Sequence, residues 1–296
     1  MIVPRPLTHR RVGIFAGSSP FPLDRYRRGL LRLASLDLTA FEDPRIFGRT
    51  GYLAGSDAER VGLIHDLLSD PSVDVLWAAR GGYGLHRVVE HLDVELLARS
   101  QKAIVGFSDV CVLHGIAQRA GLVSIHGPVI TQLGELDESQ VMPHLRAILD
   151  ARFGGLRYTT SESPITGGEA VGIVMGGCLS VLAAMVGTRL MPSYEGALVL
   201  LEDVGEATYR LDRMLTHLAL AGVFNGIAGV IAGEFHECRP RNDEEPSAKD
   251  VLVDRLSRLG VPVVFGLPFG HGSRNLPIPL GVTARLDADR GELVLE

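Results

Sequence analysis

The sequence predicts an α/β fold built on a parallel sheet covered on both faces. In the first half, short β-branched runs alternate with helical segments, the order in which strand, crossover helix and parallel strand follow one another. The composition, 46% hydrophobic and 22% charged over 296 residues, belongs to a globular chain. That length points to two domains or one large one, with core enough to need no disulfide or metal staple.

RVGIFAG (11–17) reads as the first strand, ending at the turn Ser18-Ser19-Pro20. A helix follows from near Pro22, with Asp24 in its first turn. SVDVLWAA (72–79) is a second strand, running into Arg80-Gly81-Gly82-Tyr83-Gly84. KAIVGF (102–107) is a third, followed by a helix over 109–120 that Gly121 ends. GLVSIHGP (121–128) is the fourth. From about 151 to 169 the pattern lapses into Gly, Ser, Thr and Pro, which predicts a linker between an N-terminal domain (1–150) and a C-terminal domain (170–296). The second half resumes with VGIVM, GALVLLE (196–202), a helix near 208–221, GIAGVIAGEF, a helix near 248–259 and VPVVFG. The polar stretch 238–250 reads as a surface loop.

Against 29 Lys and Arg stand 35 Asp and Glu, a net charge of −6. A mildly acidic chain argues against nucleic acid or an anionic membrane as partner, since both demand concentrated positive charge. Cys111, Cys178 and Cys238 are widely spaced and odd in number, which fits a reducing compartment better than a disulfide framework or a zinc site. The stretch MIVPRPLTHRR has no apolar run of secretory length, so a cytoplasmic location is expected. The uncharged stretch 170–188 approaches the length of a membrane span, but Gly176-Gly177 divides it into a strand-like and a helix-like piece. A buried strand, turn and helix is the better reading.

Ligands of open parallel sheets gather beyond the carboxyl ends of the strands. Three reactive side chains follow strands directly: Ser108, Glu202 and His271. Their types are complementary, because a serine hydroxyl needs an imidazole to accept its proton and the imidazole needs a carboxylate to fix its tautomer. Ser108 lies at the turn Gly106-Phe107-Ser108-Asp109, where the Asp109 N–H would face a developing oxyanion. Taken alone, the same turn reads more readily as a helix N-cap, because caps far outnumber nucleophiles, and Val110 stands where a nucleophile elbow would carry its second glycine. The 80–84 turn is neither a dinucleotide fingerprint nor a P-loop; its spacing suits an oxyanion loop or a plain tight turn. Glu206 reads as helix N-terminal charge. His236-Glu237-Cys238 reads as a solvated turn, and no histidine spacing matches a metal site.

Eight stretches taken together resemble the LD-carboxypeptidase family of serine peptidases, which includes the microcin C immunity peptidases. They are FAGSSP, ARGGYG, GFSDVCVLHG, HGP, MGGCLSVLAAMVGT, LLEDVGEATYRLDRML, GLPFGH and LPIPLGVTARLD, in the family's order from Val12 to Asp287. The resemblance implies an N-terminal flavodoxin-like domain, a C-terminal domain built on a small β-barrel or sheet with helices, and a homodimer. It implies a Ser-His-Glu triad of Ser108, His271 and Glu202, with the Gly82 and Asp109 N–H groups as oxyanion donors and no cofactor or metal. The implied substrate is a small peptide or muropeptide: in cytoplasmic murein tetrapeptide, the bond from the L-centre of meso-diaminopimelate to D-alanine. The immunity relatives instead cleave an amide joining an aminoacyl or peptidyl group to a nucleotide. Cys178 departs from the pattern, which carries Asn there. Two other functions fit the residues less fully: an α/β-hydrolase esterase, which shares the Ser…acid…His order, and a non-catalytic two-lobed module that binds small molecules.

Overall fold

The structure is a computed structural model describing residues 1–5 and 7–296. It divides into two units, Met1–Arg152 with Leu276–Pro279, and Phe153–Asn275 with Leu280–Glu296.

In the first unit β1 (Arg11–Phe15) leads to α1 (Leu23–Ala34), β2 (Thr39–Glu42), α2 (Asp57–Ser69), β3 (Val75–Ala78) and the short α3 (Leu85–Val88). Then come α4 (Val94–Ser100), β4 (Ala103–Gly106), α5 (Cys111–Arg119), β5 (Ser124–His126), the short α6 (Ile130–Leu133) and α7 (Glu138–Leu149). The five strands stand in the order β2-β1-β3-β4-β5, each neighbouring pair parallel, which is the flavodoxin-like order. A strand from residues 278–280 extends the β5 edge. Every residue of β3 and β4 is buried, as expected for strands covered on both faces. A Ser56–Glu59 capping box starts α2. Because the strands are parallel, the loops after β1, β3 and β4 emerge at one edge of the sheet. The first two flank the point where the strand order reverses.

In the second unit β6 (Arg157–Thr159) precedes β7 (Glu169–Cys178), α8 (Leu179–Met185), β8 (Ala197–Val204), α9 (Thr208–Leu220), β9 (Gly229–His236), α10 (Ala248–Leu256) and β10 (Val263–Phe265). The edge strand of the first sheet is β11 (Ile278–Leu280), and β12 (Thr283–Asp287) and β13 (Glu292–Leu295) end the chain. This sheet has the order β10-β9-β8-β7-β12-β13-β6. It is parallel from β10 to β7 and antiparallel from β7 to β6. Of the two forms expected, it is the sheet. Val199 and Leu201 of β8 share a core with Leu211, Leu215 and Leu218 of α9 and with Leu252 and Leu256 of α10. That helical cover favours the apolar run 197–201 of β8, ahead of Glu202 and Asp203.

Residues 151–169, read as a linker, contribute β6, and Ile165 and Thr166 N–H groups donate to the Val263 carbonyl at the β10 edge. The apolar stretch 170–188 is a strand followed by a helix, but β7 continues through Gly176-Gly177 to Cys178. A Cβ at Gly176 would stand 2.2 Å from the Leu200 carbonyl oxygen, so the glycine allows the close approach of β7 to β8. No helix among the described residues is long and apolar enough to cross a membrane.

Candidate active site

Ser108 follows β4 by two residues and opens a single 3-10 turn, Ser108–Val110, ahead of α5. Its φ is +62°, left-handed, in a residue that is not glycine. Such a conformation costs roughly 1–2 kcal/mol and persists only where its surroundings enforce it. Neither the 3-10 turn nor α5 receives a side-chain cap, since the N-cap positions are Phe107 and Val110. The N-cap reading of Ser108 therefore has no support in the geometry. Gly81, in the loop after β3, lies against the serine: a Cβ there would stand 2.9 Å from Ser108 Cβ and 3.0 Å from its Oγ. A Cβ on Gly82 would strike Ser19 Oγ at 2.5 Å. Both glycines thus keep the backbone of this loop close to the two serines.

Buried polar groups enforce the turn. The Asp109 carboxylate accepts from Ser18 Oγ at 2.6 Å and from the Leu85 N–H at 2.9 Å, tying together the loops after β1, β3 and β4. Burial raises its pKa, against which those two bonds work. The buried Arg60 guanidinium donates to the carbonyls of Gly17 and Gly84 and pairs with Asp57. Behind β4, His114 Nε2–H donates to the Gly106 carbonyl at 2.9 Å while Nδ1 lies 3.0 Å from Ser124 Oγ. Burial pushes the His114 pKa down to about 3, so the ring stays neutral. Asp109→Ala leaves a buried hydroxyl and a buried N–H without their acceptor and is expected to cost about 3 kcal/mol. Urea unfolding measures it, and a loss below about 1 kcal/mol would contradict this role.

In the second unit Glu202 lies near the carboxyl end of β8, fully buried. There β9 carries one extra residue: Leu201 pairs with Ala232 and Asp203 with Phe235, leaving Gly233 and Glu234 opposite Glu202. A bulge re-aims side chains at such a point. Glu202 Oε2 lies 2.6 Å from His271 Nδ1. A carboxylate can only accept, so Nδ1 carries the proton and Nε2 is the acceptor of the ring. Burial works to lower the His271 pKa, but the charge and hydrogen bond of Glu202, with the charge of Asp203 behind them, raise it above its ordinary value. Asp203 is itself pushed up to about 6, first by burial and then by the Glu202 charge.

The loop that carries His271 is shaped for this pairing. Gly270 has φ +117°, and a Cβ there would lie 2.9 Å from Glu202 Oε2. Its N–H donates to the Oδ1 of buried Asn275 at 3.1 Å. Cys178 pairs in register with Glu202, its thiol 3.3 Å from Ser180 Oγ and 3.7 Å from Asp203 Oδ1. The Ser180 N–H supplies the stronger bond to Asp203, at 2.8 Å. Ser108, Asp109 and the Gly81-Gly82 loop thus come together in the first unit, and Glu202 and His271 in the second. Ser18, Arg60, Asp203 and Asn275 are supports that sequence reasoning missed. Asp203 alone left a signal, as a second carboxylate after an apolar strand. Of the 236–238 turn, His236 and Glu237 are exposed but Cys238 is buried.

Two α/β units, the first with a strained serine turn and the second with a carboxylate–imidazole pair, make up the architecture. The profile of the LD-carboxypeptidase N-terminal domain matches residues 12–127, and that of the C-terminal domain matches 171–286. A Streptomyces coelicolor protein provisionally named a carboxypeptidase is 42% identical over 292 residues, covering 97% of this chain and 93% of its own. The murein tetrapeptide carboxypeptidase of Pseudomonas aeruginosa is 32% identical over 95% of this chain and 94% of its own. The crystal structure of muramoyltetrapeptide carboxypeptidase from Oxalobacter formigenes superposes with a TM-score of 0.86 at 29% identity, covering 96% of this chain and 97% of that one. The chain belongs to the LD-carboxypeptidase family.

Proposed function

We propose that the protein is a serine carboxypeptidase that hydrolyses the LD-peptide bond of murein tetrapeptide in the cytoplasm and releases D-alanine. The observation that carries this reading is the 2.6 Å bond between Glu202 and His271, which makes Nε2 the proton acceptor. In this mechanism His271 Nε2 takes the Ser108 hydroxyl proton as Oγ attacks the scissile carbonyl carbon. Glu202 stabilises the imidazolium, and the Gly82 and Asp109 N–H groups donate to the oxyanion. The tetrahedral intermediate collapses, the C–N bond breaks, and His271 returns the proton to the D-alanine amine. Water, deprotonated by the same imidazole, then hydrolyses the acyl ester on Ser108. Productive attack requires Nε2 within about 2.6–3.2 Å of Ser108 Oγ in the acting enzyme. A homodimer in solution, accessible to light scattering, is part of the reading.

Incubation with murein tetrapeptide and, separately, with an aminoacyl-sulfamoyl nucleotide, followed by mass spectrometry, tests it. The expected product is D-alanine from the tetrapeptide. Cleavage of the nucleotide conjugate alone would reassign the substrate to the immunity type. Because serine supplies the nucleophile, chelator-treated protein is expected to work at an unchanged rate. Loss of activity with chelator, restored by stoichiometric zinc, would show a metallopeptidase instead.

A further inference from the structure

A cavity of about 590 Å³ lies in the second unit, walled by residues 159–162, the carboxyl end of β9, the start of the loop after β10, and Arg274. It adjoins the catalytic loop. The Glu234 N–H donates to the Phe269 carbonyl at 3.0 Å, and its carboxylate fills the space beside Gly272, where a Cβ would meet Oε2 at 1.4 Å. Across the cavity wall Arg274 Nη2 lies 3.4 Å from Glu234 Oε1, a long contact between two partly exposed groups. The neighbouring carboxylate, Glu162, is satisfied differently, by Lys249 Nζ at 2.7 Å. Arg274, three residues after His271, is the guanidinium on a wall that also carries Glu162, Glu234 and Glu237, and Glu234 is the carboxylate that lies against the His271 loop, beside Gly272. Burial outweighs Arg274 and His236 in setting the Glu234 pKa, which is raised.

We propose that this cavity is the subsite for the far end of the side chain on the residue whose carbonyl is cut, and that it takes a zwitterionic α-amino-acid group. Glu234 accepts from the ammonium, and Arg274 donates to the carboxylate with its planar fork. The proposal rests on the LD-carboxypeptidase reading and adds to it a discrimination between side chains. A diaminopimelate side chain ends in both charges, whereas a lysine side chain has the ammonium alone.

The test compares kcat/KM for tetrapeptides that differ only in diaminopimelate or lysine at that position. The parent is expected to prefer diaminopimelate. Arg274→Met should lower that preference at least about tenfold, chiefly through KM, and Arg274→Lys should restore part of it. Glu234→Gln should raise KM for both peptides by about tenfold while kcat moves less than about threefold. Thermal midpoints near that of the parent would show each variant to be folded. An unchanged preference in folded Arg274→Met would overturn the subsite while leaving the peptidase reading intact. Cleavage of neither peptide by the parent would overturn that reading and, with it, the occupant assigned here.

Discussion

Ser108→Ala is expected to lower kcat/KM on the tetrapeptide by about five orders of magnitude, equivalent to roughly 7 kcal/mol of transition-state stabilisation. The residual rate would come from the oxyanion donors and substrate binding, which the substitution leaves in place. Stability is expected to move by less than about 1 kcal/mol, because the Ser108 side chain caps no helix and Ala bears the same left-handed cost. Ser108→Gly, free of that cost, should be as inactive and as stable as the parent or up to about 1 kcal/mol more stable. Such a result would show that the strain at φ +62° is held for function. Steady-state kinetics with urea unfolding reads both quantities. Retained activity in folded Ser108→Ala would remove the serine from the mechanism.

His271→Ala should cost about as much as Ser108→Ala, and Glu202→Gln about three to four orders of magnitude, because the amide still positions the ring without supplying charge. Their pH profiles separate the roles. In the proposed mechanism the general base acts as neutral imidazole, so kcat/KM is expected to rise with pH through the His271 pKa, which Glu202 holds above the ordinary value of about 6.5. With Glu202→Gln the carboxylate's charge is gone while burial still lowers the pKa, so the rising limb should move to lower pH. An unmoved limb would mean that Glu202 does not set the base. The same pair contributes to folding with the opposite trend. Its stabilisation is complete below the unfolded value of about 6.5 and is lost as pH rises through the higher folded pKa.

What could be read in the sequence follows from how local each signal is. The strands β1, β3 and β4 stand out because buried parallel strands demand consecutive apolar residues. Thr39–Glu42 escapes because a four-residue, partly exposed strand carries no such run. The β12–β13 hairpin escapes because its identity comes from pairing with β7 and β6, more than a hundred residues earlier. The same divide runs through the candidate site. Reactive residue types after apolar strands are visible in one dimension, so Ser108, Glu202 and His271 could be singled out. Whether Ser108 caps a helix or projects from a strained turn depends on its φ, which tertiary contacts through Gly81 and Asp109 impose. Arg60 and Asn275 act on backbone carbonyls and N–H groups far off in sequence or hidden in a loop, and no residue pattern announces such bonds. Cys178, where the family pattern carries Asn, stands in register with Glu202, with Ser180 supplying the firm hydrogen bond to Asp203.

The most direct measurement is acid quench during turnover of the tetrapeptide, followed by proteolysis and mass spectrometry. The mechanism predicts D-alanine release together with a tripeptide acyl ester on the fragment containing Ser108, absent in Ser108→Ala. Turnover with the acyl group on another residue, or turnover that persists in Ser108→Ala, would contradict it.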